Sequence, residues 1–159
     1  MMRTIAVIEG EEVREFDDGT VRFKARAMID TDGFGDLHGD PCAQRNTSLH
    51  WRGRALNADE DRYIVVPPAI LQGVKGVVLG CQAYAKNIKN GHETECVVGD
   101  VGPYKKLGEV SVATAKALGI NPSPTSGGTD DHIIEYTLKP GVPAIVNGKR
   151  YTLQPYRRT

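Results

Sequence analysis

The sequence of 159 residues is short of the features that mark several protein classes. It has three cysteines, an odd number without a Cys-x-x-Cys pair, which argues against a disulfide framework and a zinc ribbon. Lys and Arg residues number 20, and so do Asp and Glu residues, so no net field attracts the chain to nucleic acid or an anionic membrane. We therefore expect reduced, mostly buried thiols and no nucleic-acid partner.

Long apolar runs are also lacking. The first such run extends only from Ile5 to Ile8 before acidic residues begin, which is too short for a signal peptide or a membrane span. We therefore expect no membrane span and a cytoplasmic or virion-associated protein, exported only by a non-classical route.

The sequence has no convincing set of metal ligands. His38 and Cys42 are four residues apart but need a third ligand from elsewhere. Counted from Asp30, a calcium loop would have glycine at its sixth place, but Phe34 and Pro41 occupy places that require oxygen ligands. We expect no metal and no cofactor.

Glycine and proline are plentiful, with 18 and 9 residues, which predicts many turns and short strands in one domain over residues 1–159. Residues 21–27 alternate apolar and basic side chains, as a half-buried strand does. A single helix is clear, capped by Ser111 and ended by Gly119. The pattern predicts an all-β barrel with one or two short helices. The segments predicted as strands are IAVI, TVRFKARAMID, RYIVVPPAI, GVVLGCQAYAK, HETECVVGDVGPY, HIIEYTLKPG and PAIVNGKRYTLQPY.

A long segment rich in Gly and Asp, from Asp30 to Arg54, has no regular period. Loops of this length in compact domains are usually functional, so we expect this one to wall a cleft, shaped by His38, Asp40 and His50. Trp51, the only tryptophan, either stacks on a sugar ring or is partly buried core beside Leu49.

Two carboxylates stand out in GDVGPYKKLGEVS: Asp100 at the end of an apolar strand, and Glu109 just ahead of the helix. The Gly102-Pro103 turn between them can fold the chain back, so both acids can face one cleft. Glycoside hydrolysis requires such a pair. Asp at a turn and Glu at a helix start are also ordinary structural placements, and spacing alone does not separate the two interpretations.

The segments FKARAMIDTDG, ALNADEDRYIVVP and VVGDVGPYKKLGEVSVATAKALGI resemble, in the same order, the signature segments of the family 75 chitosanases. The resemblance covers roughly residues 23–141. It implies that Asp100 and Glu109 are the essential acids, and it places Asp30 and Asp32 on the family's Asp-x-Asp-Gly segment. It also implies a six-stranded double-psi β-barrel, as in inverting endoglucanases and murein enzymes of the rare lipoprotein A type.

The resemblance implies an inverting, endo-acting hydrolase of β-1,4-linked amino-sugar polymer, with Glu109 as acid and Asp100 as base. A helix N-terminus would instead stabilise an ionised Glu109 and make it the base. The residues expected to contact the polysaccharide are Asp30, Asp32, Asp36, Trp51 and Tyr104. Two alternatives to a chitosanase remain: a peptidoglycan-cleaving barrel enzyme of a phage particle or secretion device, and a non-catalytic carbohydrate-binding or structural barrel.

Overall fold

The structure is a computed structural model that describes residues 1–155 of the chain. Twelve strands and two helices lie within these residues. In chain order they are β1 (Met2–Ile8), β2 (Glu11–Phe16), β3 (Val21–Asp30), β4 (His50–Trp51), β5 (Arg54–Ala55), β6 (Tyr63–Val66), α1 (Pro68–Gly73), β7 (Cys81–Asn87), β8 (Glu93–Val101), β9 (Glu109–Ser111), α2 (Val112–Ala117), β10 (Thr129–Pro143), β11 (Ile145–Val146) and β12 (Lys149–Arg150).

Six of the strands close into a mixed β-barrel. Their order is β3-β10-β7-β8-β6-β9, and β9 pairs again with β3 to complete the ring. The β3–β9 and β6–β8 pairs are parallel, whereas the other pairs are antiparallel. The expected all-β barrel with short helices is confirmed. The crossed connections that define a double-psi barrel stay a prediction.

The barrel interior is filled by side chains that alternate along the strands. In β3, Val21, Phe23, Ala25 and Ala27 are buried, while the residues between them reach outward. The Phe23 ring stacks on that of Tyr136 at a centroid distance of 5.2 Å. The alternation predicted from sequence therefore marks the true inner face of the wall.

The start of the chain differs from the single hairpin that the pattern predicts. The polar stretch between IAVI and TVRFKARAMID is itself a strand, β2, which pairs with both β1 and β3. Its only fully buried side chain is Val13, so it carries almost no alternating apolar signal. The three strands form a meander, with the predicted turn at Asp17-Asp18-Gly19 between β2 and β3.

Both helices follow signals in the sequence. The strand expected to stop at Pro67-Pro68 ends at Val66, and the residues that follow form α1, because proline suits a first helical turn. The predicted helix α2 is present, and the Ser111 side chain accepts a hydrogen bond from the Thr114 amide as its N-cap. Each helix has six residues, and within residues 1–155 no helix is long and apolar enough to cross a membrane.

Candidate active site

The loop after β3 carries the first acids of the site. It packs tightly against the backbone at Leu56: a Cβ atom on Gly33 would stand 1.9 Å from the Leu56 carbonyl oxygen, and Gly33 has a φ of +125°. The Phe34 amide donates to the same oxygen at 3.1 Å. Only glycine fits this position, which explains why the Asp-x-Asp-Gly turn ends in glycine.

Asp30 and Asp32 are fixed by this turn. The Asp32 amide donates to Asp30 Oδ1 at 2.7 Å, and the Gln44 amide donates to Asp32 Oδ1 at 2.7 Å. The Tyr63 hydroxyl donates to the Asp32 carbonyl at 2.8 Å. Asp30 is buried and Asp32 is half-buried, so Asp32 is the more accessible of the two.

Asp100 lies near the end of β8, where a bulge in the pairing with β6 shifts the register. The preceding Gly99 packs on Tyr63 so closely that a Cβ atom would stand 2.6 Å from the Tyr63 Cβ. Asp100 is only 5% exposed, and its Oδ1 accepts hydrogen bonds at 3.0 Å from the Ser48 amide, the Ser48 hydroxyl and the Val101 amide. These donors hold one oxygen in a fixed place.

Glu109 begins β9, between β3 and β6, with Met28 and Val65 as its neighbours. Gly108 before it has a φ of +91°, and a Cβ atom there would stand 2.1 Å from the Arg26 carbonyl oxygen. The half-buried Glu109 carboxyl reaches towards Gly102, since a Cβ on that glycine would lie 3.3 Å from Glu109 Oε1. Glu109 therefore extends over the backbone that follows Asp100.

Asp100 and Glu109 are brought together by one residue of β6. Val65 pairs with Asp100 on one side and with Glu109 on the other. Residues paired directly across strands project from the same face of a sheet. Both acids therefore leave the barrel wall on the same face. Met28, the partner of Glu109 on β3, is 47% exposed, which identifies this as the outer face.

Burial and neighbouring charge raise two pKa values in this group. Burial, with the Asp100 carboxylate as the next cause, raises the pKa of Asp30 to about 9. Burial also raises the pKa of Asp32 to about 7; the Gln44 amide opposes this rise, and a hydrogen bond with Asp100 adds to it. Both carboxyls therefore retain a proton to a higher pH than an exposed aspartate does.

The pKa of Glu109 is raised above that of an ordinary glutamate. Burial is the largest cause and the Asp100 charge the second, while Lys106 and Arg26 oppose the rise. Arg26 is itself paired with Glu9 at 2.7 Å. Glu109 thus retains its proton to a higher pH than an exposed glutamate, which is the property that a general acid requires.

Asp30, Asp32 and Asp100 each offer one carboxyl oxygen within 4.8 Å of the other two. Of residues 1–155, these are the side chains whose oxygens lie close enough to share a cation. They supply three oxygens, whereas Ca²⁺ takes six to eight. A proton retained on Asp30 or Asp32 relieves the repulsion among the three carboxyls, as a bound cation would, and we assign no metal here.

Asp36 does not join the group formed by Asp30, Asp32 and Asp100. Its side chain is 71% exposed, and its Oδ1 accepts a hydrogen bond from the His38 amide at 2.8 Å. Asp40, on the same loop, adds to the rise in the pKa of Glu109, so its charge acts on the site. A role for Asp36 in substrate binding stays a prediction.

Trp51 and Tyr104 occupy different settings. Tyr104 is 55% exposed on the loop between β8 and β9 that links the two acids. Trp51 is half-buried, its indole Nε1 donates to the Arg150 carbonyl at 2.7 Å, and two cationic side chains stand over its ring. Both residues stay predicted substrate contacts, with Tyr104 the more accessible.

Ser48 is the member of the site that sequence reasoning missed. It makes two hydrogen bonds to Asp100, and its carbonyl accepts one from Gln154 Nε2 at 2.9 Å. It lies in the predicted cleft loop, but nothing in the local sequence distinguishes it from the polar residues around it. Only the tertiary pairing of this loop with β8 reveals its role.

No protein-family model matches the chain, and no curated protein matches it.

Proposed function

We propose that the protein is an endo-acting glycoside hydrolase that cleaves β-1,4-linked amino-sugar polymers with inversion and without a cofactor. Glu109 protonates the glycosidic oxygen, and Asp100 activates a water molecule on the opposite face of the sugar. One observation carries the proposal: the two acids flank Val65 and leave the barrel wall on the same face. A pair of carboxyl groups facing one substrate is the basic requirement of this chemistry.

The environments of the two acids support this division of roles. Burial raises the pKa of Glu109, which suits a proton donor. Asp100 accepts three hydrogen bonds on one oxygen, an arrangement that orients a carboxylate for a water molecule. Glu109 lies in β9, two residues before the N-cap Ser111, so it is outside the first turn of α2. Helix-end effects are confined to the terminal turn, so the start of α2 gives no reason to assign Glu109 as the base.

The charge of the loop supports an amino-sugar substrate. Asp32 is half-buried at the site, Asp36 is exposed nearby in sequence, and the Asp40 charge acts on Glu109. Chitosan carries ammonium groups, which such carboxylates attract. Chitosan is therefore the first polymer to test.

The test is the release of reducing ends by the full chain from soluble chitosan and, separately, from purified sacculi. We expect release from chitosan that is lost in Asp100→Asn and Glu109→Gln. Release from sacculi alone would instead favour the peptidoglycan-cleaving enzyme. Binding of either polymer without any release would contradict catalysis and favour a carbohydrate-binding barrel.

A further inference from the structure

A groove of about 430 Å³ lies between the two short hairpins β4–β5 and β11–β12. Both hairpins turn through paired left-handed residues, with φ values of 51° and 75° at Arg52-Gly53 and 50° and 77° at Asn147-Gly148. Such two-residue turns are tight and hold their flanking strands in a fixed register. Five side chains give the groove its chemistry: His50, Trp51, Arg52, Lys149 and Arg150.

Trp51 organises the cations of the groove. The Arg52 guanidinium stands 4.5 Å from the centroid of its ring, and the Lys149 ammonium stands 4.4 Å from it. The Trp51 indole also joins the two hairpins through its hydrogen bond to the Arg150 carbonyl. Cation–π contacts of this kind restrain side chains that would otherwise move freely in solvent. The Arg52 and Lys149 side chains are therefore held in place before any ligand arrives.

The groove carries an excess of positive charge. Lys149 is neutralised by Asp61, whose Oδ1 lies 2.6 Å from the lysine Nζ. Neither Arg52 nor Arg150 forms a salt bridge within the part of the chain that the structure describes. No carboxylate side chain is among the residues that line the groove. The groove is therefore positively charged, unlike the acid site, and suits a negatively charged ligand.

From these contacts we infer that the groove binds an acidic glycan, a sugar chain whose carboxylate groups pair with Arg52 and Arg150. Arginine pairs with carboxylates through two parallel hydrogen bonds, and the volume of the groove lies within the range of small-ligand sites. The cations over the Trp51 ring disfavour a nucleic acid, because a nucleobase would have to displace a cation from the face that it covers. This site does not depend on hydrolysis at Asp100 and Glu109.

The location of the groove fits a polymer ligand. Ser48, which holds Asp100, lies two residues before His50, which lines the groove. His50 is anchored to Asn46 through a 2.7 Å contact between His50 Nε2 and Asn46 Oδ1. The loop that helps to form the acid site therefore continues directly into the groove, where a second chain or a distant part of a mixed polymer can bind.

The single tryptophan makes the test specific to this place. We would titrate the full chain with hexagalacturonate and follow Trp51 fluorescence and heat, at an ionic strength of about 0.01 M, where the Debye length is about 30 Å. Uncharged cellohexaose and a thymidine hexanucleotide serve as parallel ligands. We expect saturable binding of hexagalacturonate with a change in emission, no binding of cellohexaose, and weaker binding of the oligonucleotide.

The double variant Arg52→Gln/Arg150→Gln should weaken hexagalacturonate binding by at least about tenfold, as the loss of charge-assisted hydrogen bonds implies. Lys86→Gln/Lys89→Gln is the matched control, because it removes two exposed charges from outside the groove and should leave binding unchanged. Thermal unfolding confirms that both variants are folded. Failure of hexagalacturonate to bind, equal losses in both variants, or tighter binding of the oligonucleotide would each overturn the inference.

Discussion

Asp100 and Glu109 flank Val65, the first on the parallel strand β8 and the second on the antiparallel strand β9. The two acids are not adjacent in sequence, and the residue of β6 that lies between them is a valine. The pair is therefore a product of the strand order β8-β6-β9 rather than of the local turn that separates the two residues along the chain.

Removing either acid should abolish hydrolysis while leaving the fold intact. Asp100→Asn and Glu109→Gln keep the shape of each side chain, and general acid–base catalysis is typically worth about 10²- to 10⁴-fold in rate. We expect losses in that range in reducing-end assays, with cooperative thermal unfolding retained. Azide should restore activity to Asp100→Asn, because it replaces the activated water, and not to Glu109→Gln. Rescue of Glu109→Gln alone would reverse the roles, and near wild-type rates in both would exclude the pair.

Ser48 should act through Asp100. Ser48→Ala removes the hydroxyl donor and leaves the amide donor, so Asp100 loses one of its three hydrogen bonds. We expect kcat to fall about tenfold, the worth of one such bond, with KM nearly unchanged. Ser48→Thr retains the hydroxyl and should recover most of the rate. If the threonine variant is as slow as the alanine variant, the hydroxyl is not what positions Asp100.

The charge of Lys106 should set the alkaline limb of activity. Lys106 lowers the pKa of Glu109, so Lys106→Gln should raise that pKa. Because the general acid must be protonated, the alkaline limb of kcat/KM should move to higher pH, by a few tenths of a unit for one partly screened charge. Lys105→Gln removes the neighbouring charge and should shift the limb less. A shift to lower pH in Lys106→Gln would contradict the role of Glu109 as acid.

The raised pKa of Asp30 should lower the free energy of unfolding as the pH rises. Its pKa is about 9 in the folded state, against about 3.9 for an unperturbed Asp, so the folded state binds its proton more tightly. Its contribution is fully present below about pH 4 and is lost as the pH rises towards 9. Asp30→Asn removes this loss and can still accept the Asp32 amide hydrogen bond.

The measurement for Asp30 is the free energy of unfolding in urea at several pH values. We expect Asp30→Asn to gain on the wild type by at least about 1 kcal/mol between pH 5 and pH 9, one pKa unit being worth about 1.4 kcal/mol. Asp36→Asn on the same loop is exposed and should show no such trend. A parallel pH dependence in Asp30→Asn and the wild type would show that Asp30 does not bind its proton more tightly when folded.

Gly108 should be essential for the placement of Glu109. Gly108→Ala combines a φ of +91° with a clash at 2.1 Å against the Arg26 carbonyl, so we expect a loss of at least about 3 kcal/mol of stability. Gly91→Ala has a similar φ of +81° and open space around it. Gly91→Ala should lower the free energy of unfolding by only about 1 kcal/mol, because the new Cβ strains the backbone but meets no neighbouring atom. Equal losses would show that the close approach is unimportant.

The sequence predicts the strands and helices of this fold better than the long-range contacts between them. Alternation over residues 21–27 identifies the inner face of β3, and the Ser111 cap identifies α2, because both signals are local. β2 escapes prediction because its outer positions are polar and only Val13 is buried. Asp100 and Glu109 are selected by type and by resemblance, and their shared neighbour Val65 depends on strand order, which no local pattern encodes.

Ser48 and the cluster around Asp30 are hidden for a related reason. Ser48 contacts Asp100, which is 52 residues away in sequence, and a serine in a polar loop belongs to no periodic pattern that would identify it. The pKa of Asp30 is raised by burial and by the Asp100 charge, and the local sequence reveals neither of these causes. Long-range packing, rather than residue type, decides both features.

The parallel pair of β3 and β9 also bears on when the proposed activity should appear during folding. This pair closes the ring, and it joins an early strand to a late one across an intervening run of three other barrel strands. Pairs of such high sequence separation are slow to form, because the entropy of loop closure opposes them. Glu109 lies on β9, so the proposed activity should return no earlier than this pairing and should report completion of the native ring.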